Sequence, residues 1–172
     1  AVLLMSLEND LRHAMDRNEL RVVYQPIWSL VTGRITGFEA LVRWEHPQHG
    51  AMQPGDFIPI AEDTGLILPL GEWVLRQAAE RLAHWNREVV PDAPLWMSVN
   101  VAAKQLTHPD LVAIVQRVLA ETKIEPSRLK LEITESMIMA DAVAAVGALE
   151  QLKALGIHLL MDFQSEPGTQ LL

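Results

Sequence analysis

Apolar and polar positions alternate along two early stretches, "LRVVYQPIWSL" (20–30) and "ITGFEALVRW" (35–44). Side chains on a strand point to opposite faces in turn, so both stretches predict strands. "VTGR" lies between them, and its Gly33 suits a tight turn, which predicts a hairpin. Before the hairpin, Leu4, Leu7, Leu11 and Ala14 recur at helical spacing and predict a first helix over residues 4–17. After it, "PGDFIPIAEDTG" predicts a short helix opened by proline and glycine and closed by Gly65. A long amphipathic helix is expected from about Leu70 to Glu88, with Leu75, Ala78, Ala79, Leu82 and Trp85 on its buried side.

From there strand and helix patterns alternate: "LWMSVNV", "DLVAIVQRVLAE", "RLKLEIT", "DAVAAVGALEQLKAL" and "IHLLMDF". Thr107 with Asp110 has the form of a capping box, Asp141 suits the cap of the following helix, and Gly156 stands where a helix C-terminus favours glycine. A βαβαβ order implies parallel strands joined by right-handed crossovers, and so an α/β sheet or barrel. Neither a short repeat nor a low-complexity linker interrupts the pattern, and a single domain over 1–172 is expected.

Parity sharpens one segment, "GFEALVRWEHP" (37–47). Phe38, Ala40, Val42 and Trp44 share the face expected to be core, which leaves Glu39, Leu41 and Arg43 together on the other. Four residues of strand separate the two charges by about 13 Å, so they cannot simply pair with each other. Each needs its own partner, or water.

Composition narrows the class. The 172 residues, 49% of them hydrophobic, suffice for a sizeable core. The net charge of −8 and the lack of any lysine or arginine run oppose DNA or RNA binding. The absence of cysteine excludes disulfides and thiolate metal sites and fits a reducing, cytoplasmic setting. No apolar run is long enough to span a bilayer, and the opening "AVLLM" lacks the marks of a signal peptide. A chain starting at Ala1 is expected to be a segment of a longer protein.

In α/β folds of this kind ligands bind at the C-terminal ends of the strands. Those ends are polar here: Ser98 and Asn100 in "SVN", Glu132 in "LEITE", Asp162 in "LMDF", together with Glu39. Taken singly each has an ordinary structural reading, as a loop cap, a solvated glutamate or a helix N-cap. Taken together, oxygen donors without cysteine favour magnesium, manganese or calcium over zinc or copper. The six histidines show no ligand spacing and read as surface or packing residues.

The ordered series "YQPI", "GFEALVRWEHP", "FIPIAEDTGLI", "LGEWVL", "SVNVAAKQL" and "LEITES" resembles the EAL-domain cyclic di-GMP phosphodiesterases, from the first helix to about Phe163. The resemblance implies a TIM-like barrel whose first strand runs antiparallel to the rest. It also implies magnesium- or manganese-dependent hydrolysis of one phosphodiester of cyclic di-GMP. By the same resemblance Glu39, Asn100, Glu132 and Asp162 match metal ligands, with a catalytic part for Glu39. Gln25 and Arg43 match ligand-contacting positions, Leu41 lines their pocket, and Glu135 matches a loop-stabilising glutamate.

Two departures qualify what is implied. Where the family reads "DDFGTG", this chain reads "MDFQSEPGTQLL", so Met161 replaces a metal-bridging aspartate and residues 163–172 form a divergent tail. A thioether is a soft, neutral and poor ligand for a hard cation. The resemblance also covers only about five of eight barrel strands, which leaves out a lysine, a glutamate and a glutamine of the family's site. The expectation is an incomplete EAL barrel that binds cyclic di-GMP at most, with a second copy of the chain covering its open edge. The alternatives are a structural or dimerisation remnant, or a fragment of an active phosphodiesterase.

Overall fold

The computed structural model describes residues 2–162, and side chains from Ser6 onward. The tail from residue 163 and the side chain of Leu4 therefore lie outside the described residues. Helix α1 (Val2–Ala14) leads into the antiparallel pair β1 (Leu20–Trp28) and β2 (Ile35–His46). A short β3 (Gly50–Met52) folds back on the end of β2, and α2 (Pro54–Thr64) and α3 (Ile67–His84) follow. Then come β4 (Trp96–Asn100), α4 (Ala103–Leu106), α5 (Leu111–Thr122), β5 (Leu129–Thr134), α6 (Glu135–Ala140), α7 (Ala142–Ala154) and β6 (His158–Asp162).

The strands run in the order β1-β2-β4-β5-β6, with β1 antiparallel to β2 and the later neighbours parallel. This is the five-strand arc with a reversed first strand that the resemblance implied. Helices cover one face of it. Ala40, Trp44, Met97, Val99, Leu129, Leu131 and Ile133 all point that way and are buried with α3 residues Leu75, Ala78, Ala79 and Leu82. Tyr24 meets Trp85 at the end of α3 edge to face and Phe38 meets it at a tilt, with ring centroids 5.1 and 4.7 Å from that of Trp85. The parity read from "GFEALVRWEHP" is the one observed.

Several boundaries differ from expectation. The first helix ends at Ala14 rather than at 17, and the chain turns through Asn18 at φ 55°. Helix α3 begins at Ile67, three residues early, because Pro69 falls in the first turn, where no intrahelical N–H is required. It gives way at Trp85–Val89 to a wider π-helical turn. Asp110 is the N-cap of α5, but its side chain makes no cap bond; its N–H donates to His108 Nδ1 instead, at 3.2 Å. Asp141 does cap α7, accepting from the Ala144 N–H at 3.1 Å, and Gly156 takes φ 91°. His46 is a packing residue, as expected: it is buried and linked to Asp10 at 3.3 Å.

Candidate functional site

Register decides which polar residues meet. On the face without helices, Glu39 is level with Ser98 of β4, Asn100 with Glu132 of β5, and Thr134 with Asp162 of β6. Strand periodicity puts Asn100 on the same side as Ser98, and Asp162 on the same side as Leu160, the partner of Glu132. Glu39, Asn100, Glu132 and Asp162 thus climb one face of the arc at its C-terminal rim.

All four line a cleft of about 500 Å³ between that rim and helices α2 and α3. Leu41 lines it too. Gln25 and Arg43 belong to the same face of the hairpin but are not among the lining residues. The Arg43 guanidinium donates to the Val42 carbonyl at 2.8 Å, and across the hairpin it is level with Arg21. Glu135 is exposed at the first position of α6, just beyond Thr134. Met161 pairs with Ile133 and so takes the opposite face, which leaves the inward place at the tip of β6 to Asp162.

The electrostatics of the cleft centre on Glu132. Burial is the main cause that raises its pKa above the ordinary carboxylate range, and the charges of Glu39 and Asp162 raise it further. Ser98 opposes them. Its hydroxyl lies close enough to favour the ionised carboxylate, yet it is fully buried and completes no well-formed hydrogen bond among the described residues. Glu39 has a firm partner, since Asn100 Nδ2 donates to its Oε1 at 2.8 Å.

These features test the cleft as a metal site. The donors are hard oxygens, the carboxylates repel one another through Glu132, and an unsatisfied hydroxyl points to a missing polar neighbour, all of which suits a divalent cation. The chelate is open, however: among the described residues no three acidic or histidine side chains converge closely enough to hold a metal by themselves. Asn100 would have to turn its amide oxygen inward to complete the set.

Sequence reasoning missed the opposite wall. Pro54, Gly55, Ile58 and Glu62 of α2, Gly71 of α3 and Gln105 of α4 also line the cleft. Lys104 Nζ donates to the Glu62 carbonyl at 2.6 Å and ties α4 to α2. Gln105 Oε1 accepts from the Ala102 N–H at 2.9 Å, and Gly71 makes room for that carboxamide. The sequence signal for Ile58, Glu62, Gly71, Lys104 and Gln105 is their place within the segments "FIPIAEDTGLI", "LGEWVL" and "SVNVAAKQL", while Pro54 and Gly55 read only as the opening of a helix.

An α/β arc with a reversed first strand and an acid-lined cleft at its strand C-termini defines the class of fold. The family model described as EAL domain matches residues 8–165, and the chain belongs to that family. It is 45% identical over 159 residues to the bifunctional diguanylate cyclase/cyclic di-GMP phosphodiesterase MucR of Pseudomonas aeruginosa, a match covering 92% of this chain and 23% of that protein. It is 47% identical over 157 residues to an uncharacterized signaling protein of Caulobacter vibrioides, covering 91% of this chain and 19% of that one. Among solved structures, the MucR phosphodiesterase in complex with cyclic di-GMP superposes with a TM-score of 0.86 at 43% identity, over 93% of this chain and 66% of the other. An EAL enzyme bound to cAMP and cyclic di-GMP gives 0.84 at 33% identity, over 95% of this chain and 45% of that one. The chain thus spans about a fifth of the length of these curated relatives. No described helix is long and apolar enough to cross a membrane.

Proposed function

We propose that this EAL domain binds cyclic di-GMP through a divalent cation in the cytoplasm and does not hydrolyse it efficiently. The observation that carries this reading is the convergence of Glu39, Asn100, Glu132 and Asp162 on one cleft, with Leu41 beside them. The cyclic di-GMP complexes of the similar structures support it. Glu39, Asn100, Glu132 and Asp162 would hold magnesium or manganese. A bound ion of that kind activates water and neutralises charge that develops on a phosphate. For their part, Glu39 and Glu132 line the cleft together with the apolar side chains of Ile58, Leu70 and Val74.

Inefficient hydrolysis follows from the carboxylate count. Met161 stands where the family carries its first, metal-bridging aspartate; it offers no hard oxygen and faces away from the cleft, and a site with one anionic oxygen ligand fewer binds a second cation poorly. In the same reading Gln25 and Arg43 meet the nucleotide, Glu135 steadies the loop after β5, and a second copy of the chain covers the outer edge of β6.

Titration calorimetry with cyclic di-GMP, with and without manganese, followed by chromatography of the nucleotide, tests this. Manganese-dependent binding with unchanged nucleotide is expected. Rapid conversion to the linear dinucleotide would make the domain an active phosphodiesterase. Absence of binding would favour a structural remnant, a reading to which the position of Arg43 outside the cleft lining lends weight.

A further inference from the structure

We propose that the tip of the β1–β2 hairpin is a contact site for an anionic lipid surface. Leu30 and Val31, at its apex, are the two most exposed large apolar side chains among the described residues, at 99% and 96%. Trp28 flanks them at 58% exposure. The turn is firmly built: the Ser29 N–H donates to the Arg34 carbonyl at 2.9 Å and the Gly33 N–H to the Ser29 carbonyl at 2.8 Å. The Ser29 hydroxyl also accepts from the Thr32 N–H at 3.2 Å. Exposure of the two apolar side chains is therefore held by the backbone.

Charge and shape select the partner. The chain carries −8 overall, yet between Glu19 and Glu39 it has no acidic residue and two arginines, Arg21 and Arg34. Arg21 is engaged by Glu45 at 2.6 Å, whereas no ion pair among the described residues claims Arg34. A convex tip with an apolar apex, a flanking tryptophan and one available guanidinium matches the layering of a bilayer interface. A lipid surface, unlike a protein, needs no complementary hollow to receive it. The tip also lies at the N-terminal end of β2, opposite the acid-lined rim, so lipid contact leaves the cleft open to solution.

Flotation of the full chain with vesicles of phosphatidylglycerol and phosphatidylcholine tests this, with pure phosphatidylcholine vesicles as the control. The chain is expected to float with the anionic vesicles. A combined Leu30→Asp and Val31→Asp variant should stay at the bottom, and Arg34→Gln should lose roughly fivefold in binding. Both apex side chains are almost fully exposed, so the variant should keep the parent's circular dichroism and melting temperature; if it does not, Arg34→Gln alone decides. No flotation of the parent, or equal flotation of every variant, overturns the proposal. Self-association that the apex variant abolishes, without flotation, overturns it in favour of a second copy of the chain.

Discussion

Asn100, at the last position of β4, reaches across to β2 and donates from Nδ2 to Glu39 Oε1 at 2.8 Å. The bond joins two strands whose direct register pairs Glu39 with Ser98, so it ties the hairpin diagonally to the parallel part of the arc at the rim. Replacing Asn100 by alanine leaves Glu39 without that donor and removes one oxygen from the proposed cation set. The bond is exposed, so water replaces the lost donor in the metal-free chain, whereas groups that hold or orient a metal ligand are worth about 10–100-fold in metal affinity. Manganese-dependent affinity for cyclic di-GMP should therefore fall by about tenfold or more, read by calorimetry. Since Asn100 is exposed, the melting temperature of the metal-free chain should move little. Unchanged affinity would remove Asn100 from the site.

Glu132 gives a pH signature. Its folded pKa is raised, first by burial and then by Glu39 and Asp162, so the folded chain holds this proton more tightly than the unfolded chain does. Stability from this group is full below the ordinary carboxylate pKa and is lost as pH rises through the raised value. Glu132→Gln, which cannot ionise, should therefore melt higher than the parent at pH 7, and the difference should shrink as pH falls toward 4. Manganese should raise the melting temperature of the parent more than that of the variant. A variant that melts lower than the parent at pH 7 would mean that hydrogen bonding by the carboxylate outweighs its desolvation.

Gly71 shapes the cleft from the side of α3. A Cβ built there would lie 1.7 Å from Gln105 Nε2 and 2.5 Å from its Cδ, and Gln105 is buried with its amide oxygen engaged by the Ala102 N–H. The carboxamide cannot swing away without breaking that bond, so Gly71→Ala should cost about 1–3 kcal/mol in urea unfolding. Adding Gln105→Ala removes the obstruction. The double variant should consequently be less destabilised than the sum of the two single variants, and strict additivity would show that the two sites do not touch.

How much of this was legible in the sequence follows from the range of the forces involved. Strand alternation is local, so β1, β2, β4, β5 and β6 and the buried parity of Ala40 and Trp44 could be read directly. The capping role of Asp141 and the C-terminal glycine Gly156 are local as well. The three-residue β3, the single turn of α4 and the brief α6 are too short to carry a period, and only tertiary contacts establish them. Strand ends put Glu39, Asn100, Glu132 and Asp162 under suspicion, but no residue states its register. That is why the facing of Met161, the absence of Arg43 from the cleft lining and the Gly71–Gln105 contact emerged only from the fold.

Two glycines four positions apart in the hairpin separate backbone freedom from space. Gly33 has φ 66° and nothing within 4 Å of a Cβ built on it, so its requirement is conformational. Gly37 is the reverse case. A Cβ there would meet the Trp96 ring at 2.4 Å and the Trp96 carbonyl oxygen at 2.7 Å, while Lys130 Nζ closes the ring's surroundings 3.5 Å from its centroid. Gly33→Ala should cost about 1–2 kcal/mol, and Gly33→Asn less, because asparagine tolerates left-handed backbone. Gly37→Ala must displace backbone as well as ring, and should cost more than Gly33→Ala, roughly 2–3 kcal/mol. Chemical denaturation of the three variants orders them. If Gly37→Ala proves the milder change, the β2–β4 register that presses Trp96 against Gly37 is incorrect, and the alignment of Glu39 with Ser98 on which the cleft depends fails with it.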